Sequence, residues 1–146
     1  MCLKIYTIGF GQKSAKCFFG LLRDNGVRKV IDVRLNNVSQ LAGFTKKKDL
    51  EFFLAEICQC DYEHIAQWAP TKELLDGYKK KQISWNDYEE NFFQIMKKRD
   101  ALESVDTLRI SNSCLLCSEP TPERCHRRLL AELLKTKFPL LEIIHL

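Results

Sequence analysis

Two thiols, an imidazole, two carboxylates and several guanidinium groups fall in one short stretch: Cys117-Ser118-Glu119-Pro120-Thr121-Pro122-Glu123-Arg124-Cys125-His126-Arg127-Arg128. Such a set is equipped for three chemistries. Cys117 or Cys125 can act as a thiolate nucleophile, with His126 as base and Arg127 as anion clamp. The thiols and imidazole can ligate a soft metal. The arginines and loop amides can hold a phosphate. The stretch reads as a strand, a tight loop and a helix start, with Thr121 as N-cap and Pro122 as first helical residue. A helix start offers free N–H groups and a positive dipole end, which attract anions and lower thiol pKa values.

A helical wheel sorts the side chains that follow. Leu129, Leu130, Leu133 and Leu134 define one apolar arc, and His126 falls near its centre. Cys125 and Arg127 flank the arc, while Arg124 and Arg128 point away. An inward histidine at a helix start faces the ends of the sheet strands. The wheel therefore shifts weight from the two cysteines to His126 and Arg127.

Two of the three chemistries meet obstacles. A thiolate cradle needs consecutive backbone donors, and Pro120 and Pro122 have no N–H. Cys117 and Arg124 are also separated by six residues, longer than the phosphatase-type loop. For metal binding, Cys117, Cys125, His126 and His145 show no pair at the usual spacing of about two to four residues. Cys58-Gln59-Cys60 is irregular too, so separate buried thiols are expected, with no metal and no cofactor.

Other candidates lie at the ends of earlier strands. Gly9-Phe10-Gly11 with Asp32 resembles half of a dinucleotide fingerprint, but a lone Gly-x-Gly is better explained by a plain turn. Asp32 and Arg34, two residues apart on a strand, share one face. They can serve a ligand or pair with each other.

The elements that must position these groups alternate in type. Strand-like runs are expected at residues 3–8, 28–33, 62–65, 114–118 and 141–145. Between them, Ser14 caps a helix carrying Phe18, Leu21 and Leu22 inward, and Gly26 ends it. A polar loop covers residues 36–43. Thr45 opens a second helix with Leu50, Phe53, Leu54 and Ile57 at helical spacing. Residues 70–81 read as a short helix, and Ser84 with Asp87 as an acidic capping box. The helix it starts buries Trp85, Tyr88, Phe92 and Ile95 or Met96. The last helix runs to about Lys137. The expected fold class is α/β, a three-layer α-β-α arrangement with a mainly parallel, doubly wound sheet of about five strands. Residues 1–146 form a single domain with a two-helix insertion at about residues 70–100. Such folds bind ligands at the strand carboxyl ends, where Gly9, Gly11, Asp32, Arg34, His64, Cys117, Glu119 and His145 fall.

Bulk properties narrow the classes further. A chain of 146 residues, 45% apolar and 29% charged, can build its own core without disulfides. A net charge of +4 favours an anionic ligand but falls short of a nucleic-acid footprint. The basic runs at 46–48, 79–81 and 97–99 are expected to be solvated faces. No apolar stretch approaches the roughly 20 residues that span a bilayer. The run Met1-Cys2-Leu3-Lys4-Ile5 reads as a strand rather than a leader, and the seven cysteines are odd in number. A reduced, cytoplasmic setting with free thiols is expected.

Thr7-Ile8-Gly9, Asp32-Val33-Arg34, Ala69-Pro70-Thr71-Lys72-Glu73-Leu74-Leu75, Ile83-Ser84-Trp85 with Tyr88, and Leu116-Cys117-Ser118-Glu119 through Cys125-His126-Arg127 occur in this order. In that set the chain resembles the family called "domain of unknown function 488" over nearly its whole length. The resemblance implies a compact α/β domain in cytoplasmic microbial proteins and no particular reaction. By position it marks Asp32, Arg34, Cys117, Glu119, Cys125, His126 and Arg127. Phe10 departs from the polar or aromatic-hydroxyl residue frequent there.

Together these readings lead to an enzyme-like pocket for a small anionic or phosphorylated ligand. Arg34 and Arg127 bind the anion, with Gly9, Gly11 and Cys117 lining the site. His126 is acid or base, oriented by Asp32 or Glu119, and Cys125 is a supporting or reactive thiol. The alternative is a non-catalytic module that binds nucleotide or nucleic acid through the same pocket and the lysine-rich face.

Overall fold

The computed structural model describes residues 3–36 and 43–146. Most of the expected polar loop at 36–43, and Cys2, lie outside the described residues. Five strands are formed: β1 (Lys4–Gly9), β2 (Lys29–Asp32), β3 (Asp61–His64), β4 (Ser113–Cys117) and β5 (Glu142–His145). They make one sheet in the order β3-β2-β4-β1-β5, with every pairing parallel. The helices are α1 (Ala15–Asp24), α2 (Lys47–Phe53), α3 (Lys72–Lys79), α4 (Trp85–Lys98), α5 (Thr107–Ile110) and α6 (His126–Lys137). The three-layer, parallel α/β architecture expected from the sequence is the one observed.

Alternation along each strand splits the core in two. Tyr6, Ile8, Val30, Cys114 and Leu116 pack against Phe18, Phe19 and Leu22 of α1 and Leu50 of α2. Ile5, Ile31 and Leu115 point the other way, into Leu74 of α3, Tyr88, Phe92 and Met96 of α4, and Leu129, Leu130 and Leu134 of α6. Helices α3 and α4, which lie between β3 and β4, thus complete the same layer as α6.

Local signals account for most helix ends. Ser14 accepts a hydrogen bond from the Cys17 N–H, and Gly26 adopts φ +67° after α1. Thr71 caps α3, and Ser84 and Asp87 form a reciprocal capping box on α4. A side-chain cap of this kind stabilises a helix by about 1 kcal/mol. Thr45 differs: it is buried in a short turn, and α2 begins two residues later.

The start of α6 also differs from expectation. Thr121 and Pro122 do not begin the helix; Cys125 is its N-cap, with extended backbone, and His126 is its first residue. Arginines from the helix hold the intervening loop. Arg128 donates to the carbonyls of Pro122 and Glu123, and Arg127 Nη1 donates to that of Glu119. Those side-chain bonds occupy the loop carbonyls, so the residues 119–124 turn rather than wind. The consequence is functional, because the positive end of α6 now sits at Cys125 and His126.

Candidate functional site

β1 and β4 are neighbours, but their chains leave in opposite directions. The chain from β1 runs through α1 on one face toward β2. The chain from β4 runs through α6 on the other face toward β5. A crevice forms at such a reversal. Here it opens into a cavity of about 1020 Å³, floored by Cys117, Cys125 and His126. Phe10 and Arg34 line it, as do Tyr78, Trp85 and Tyr88 from α3 and α4.

The floor is a tight polar cluster in an apolar setting. The Cys117 Sγ lies 3.6 Å from His126 Nδ1, and His126 Nε2 lies 2.7 Å from the Val33 carbonyl. A carbonyl only accepts, so Nε2 carries a hydrogen and Nδ1 faces the thiol. The Phe92 ring packs against the imidazole at 5.7 Å. Cys117, Cys125 and His126 are all buried.

Electrostatics favour a charged pair. The Cys117 thiol is held well below the ordinary range, first by a hydrogen bond from the Cys125 thiol. The charge and hydrogen bond of His126 and the charge of Arg127 act in the same direction, against burial. His126 is raised. Burial pulls it down, but the Cys117 charge, the Cys117 hydrogen bond and the Val33 carbonyl outweigh that pull. Cys125 moves up, through burial and its bond to Cys117. The consistent description is a Cys117 thiolate accepting from His126 Nδ1–H and from the Cys125 S–H.

The other sequence candidates occupy different positions. Asp32 and Arg34 form a buried bidentate pair, at 2.9 Å from Nε and 2.8 Å from Nη2. Tyr62 Oη donates to the same carboxylate at 2.7 Å, and Arg34 Nη2 also donates to the Thr45 carbonyl. Asp32 is therefore committed to Arg34 and Tyr62, and Val33 rather than Asp32 or Glu119 orients His126. Arg34 still borders the cavity, with its guanidinium 5.5 Å from the centre of the Phe10 ring. Phe10, the departure from the family pattern, thus supplies an aromatic face.

Arg127 is fully buried behind the cavity floor. Its Nη1 holds the Glu119 carbonyl at 2.8 Å, and its Nε and Nη2 have no partner among the described residues. It clamps the Cys117 loop. The Glu119 side chain borders the cavity, while its carbonyl serves this clamp.

Gly9 and Gly11 have a packing explanation. A Cβ on Gly9 would lie 1.6 Å from the Glu119 carbonyl oxygen and 2.9 Å from Arg127 Nη1. One on Gly11 would lie 2.6 Å from the Ser118 carbonyl oxygen. Both glycines let the β1 loop press on the β4 loop, where the Phe10 and Gly11 N–H groups donate to the carbonyls of Cys117 and Ser118.

Cys117, Cys125 and His126 also offer three metal-ligating atoms, all within 4.8 Å of one another. Spacing concealed this set, because one ligand atom comes from a strand end and two from a helix start eight and nine residues on. His64 and His145 serve elsewhere: His64 Nε2 meets the Arg34 carbonyl, and His145 Nδ1 meets Thr7 Oγ1 at 2.6 Å.

Sequence reasoning missed the Val33 carbonyl, which no side-chain motif encodes. It also read Trp85 and Tyr88 as core alone. Both stack on each other at 4.9 Å between ring centres, with Tyr78 edge-on to Trp85 at 5.3 Å, and together they wall the cavity. Of the three basic runs, the one at 79–81 reaches the cavity, through Lys79 and Lys81.

The family model described as "Domain of unknown function DUF488" matches residues 14–134. The chain belongs to the DUF488 family. The matched span runs from the α1 cap to the last turn of α6 and so contains every floor residue of the cavity. No curated protein and no solved structure matches the chain. Among the described residues, no helix of this DUF488 protein is long and apolar enough to cross a membrane.

Proposed function

We propose that this DUF488 protein is a thiol-dependent enzyme acting on a small anionic ligand in the cavity at the strand carboxyl ends. The observation that carries the reading is the Cys117–His126 contact at 3.6 Å on the cavity floor, with His126 Nε2 fixed by Val33. Cys117 is the nucleophile. His126 keeps it ionised and then, from Nδ1, gives a proton to the group that leaves. Cys125 steadies the thiolate through its S–H.

The ligand class follows from the walls. The positive end of α6 and the Arg34 guanidinium attract negative charge, and Lys79, Lys81 and Arg124 lie at the rim. Asp32 neutralises much of the Arg34 charge, so the ligand is expected to carry modest negative charge. Tyr78, Trp85 and Phe10 suit a flat ring, which makes nucleotides the first phosphorylated compounds to try.

The test is the rate of alkylation of Cys117 by iodoacetamide between pH 5 and 9, with site assignment by mass spectrometry. The wild type is expected to react at Cys117 well below the ordinary thiol range. Nucleotides or inorganic phosphate should slow that reaction. A Cys117 that labels only above about pH 8.5, as a free thiol does, would sink the proposal.

A further inference from the structure

Cys125 has no assigned task beyond a hydrogen bond, yet it is buried on the cavity floor beside the nucleophile. The sulfurs of Cys117 and Cys125 lie within 4.8 Å of each other and of a His126 ring nitrogen, and Cys117 Sγ is 3.6 Å from Nδ1. No rearrangement of the sheet is needed to bring them together, since the α6 start is already tied to the β4 loop by Arg127 and Arg128. The other described cysteines are elsewhere. Cys114 points to the opposite face of β4, Cys60 packs with it, and Cys17 is exposed on α1.

Resting on the reading of Cys117 as a thiolate, we propose that Cys117 and Cys125 form a two-electron redox couple whose oxidant is a hydroperoxide admitted through the cavity. The Cys117 thiolate attacks the outer peroxide oxygen and the O–O bond breaks. The departing alkoxide takes the Nδ1 proton of His126, which leaves an alcohol (or water), a Cys117 sulfenic acid and a neutral imidazole. The Cys125 thiol then gives its proton to Nδ1 and attacks the Cys117 sulfur. An S–S bond forms, the S–O bond breaks, and the hydroxide leaves as water with that same proton. Two thiols and one hydroperoxide thus give one disulfide, one alcohol and one water. An external dithiol restores the pair by two exchange steps.

The division of labour follows from position. Cys117 accepts two hydrogen bonds and starts the reaction. Cys125, whose proton is held by burial, waits until the sulfenic acid forms. A neutral His126 is then the base at hand. The same neighbourhood keeps the sulfenic acid from further oxidation by placing its resolving thiol in contact.

The experiment treats fully reduced full-length protein with one equivalent of hydrogen peroxide and maps tryptic peptides. Residues 110–124 carry both Cys114 and Cys117, residues 125–127 carry Cys125 alone, and fragmentation of the linked peptides assigns the bond to Cys117 or Cys114. The expected result is a link between these two peptides, loss of two thiols per chain, and oxidation about tenfold or more faster than at exposed Cys17. Cys125→Ser, checked for folding by circular dichroism, should instead accumulate a Cys117 sulfenic acid that a 1,3-dione traps. Rapid iodoacetamide labelling of Cys117 without the Cys117–Cys125 link would overturn the couple and leave the enzyme reading intact. A Cys117 inert to both reagents would end both. Stoichiometric zinc in the purified protein, to be chelated before Cys117 reacts, would also overturn the couple.

Discussion

β4 carries two cysteines three residues apart, and they live in opposite chemical worlds. Cys114 is fully buried on the α1–α2 face of the sheet, beside Cys60. Burial is the main cause that pushes both thiols up, Cys60 to about 12 and Cys114 well above its usual value. Cys117 is also buried, on the α6 face at the strand end. There the same desolvation is overcome by the Cys125 S–H, by His126 and by the charge of Arg127. Burial by itself therefore says nothing about thiol reactivity. An odd step along a strand changes the face, and the face determines which dipoles and charges a thiol meets.

The glycine that lets the two loops touch is the most sensitive position in the Cys117 environment. Gly9→Ala puts a Cβ 1.6 Å from the Glu119 carbonyl oxygen, so the β4 loop must move. We expect a loss of at least about 3 kcal/mol in chemical denaturation, and any folded fraction should have lost rapid Cys117 labelling. A variant as stable and as reactive as wild type would show that the loop contact does not hold the site.

His126→Gln leaves Cys117 in place but takes away the charge and the proton carrier. The rate of Cys117 alkylation at pH 6 should fall about tenfold or more, toward the behaviour of Cys114. Cys114 and Cys60 should remain unreactive in the folded variant. Unchanged Cys117 labelling would assign its activation to Cys125, Arg127 and the α6 start.

The two thiol environments should also bend stability in opposite pH ranges. Cys60 titrates near 12 in the fold and near ~8.5 when unfolded. Between those values the unfolded chain gives up a proton that the folded chain keeps. Its contribution is complete below about pH 8.5 and is lost as pH climbs through the folded value. Cys117 is held low in the fold, so its contribution is present above about pH 8.5 and is lost as pH falls through that lowered value. Urea midpoints between pH 5 and 11, in wild type, Cys60→Ala and Cys117→Ser, separate the two limbs. Cys60→Ala should lessen the loss at alkaline pH, which Cys114 shares, and Cys117→Ser should lessen the loss as pH falls.

The smallest expected effect is that of Cys60→Ala near pH 7. It removes one buried sulfur, a cost of about 1 kcal/mol, and should leave Cys117 labelling untouched. A change in Cys117 reactivity would mean that the two faces of β4 communicate, contrary to the separation drawn here.

Much of this fold was legible in the order of residues. Short β-rich runs marked the five strands, and Ser14 and the Ser84–Asp87 pair marked helix starts, because those signals act within a few residues. The same wheel placed His126 inward beside Leu129 and Leu130. Thr121-Pro122 misled because a local cap competes with tertiary bonds, and Arg127 and Arg128 hold the intervening carbonyls from within α6. Asp32 and Arg34 were visible as a pair, but the partner each would take was not. Their mutual bond and the donation from Tyr62 depend on β2 lying beside β3.

For the site at Cys117 to Arg127, residue types and spacing were enough to mark a reactive segment at a strand end. They could not say which thiol is ionised, which carbonyl sets the imidazole tautomer, or that Arg127 clamps a loop instead of facing a ligand. Those answers depend on groups far apart in the chain: Gly9 against Glu119, and Val33 against His126. Short-range propensity is carried by neighbours in sequence, whereas a thiol's charge state is set by whatever the folded sheet brings within a few ångströms of it.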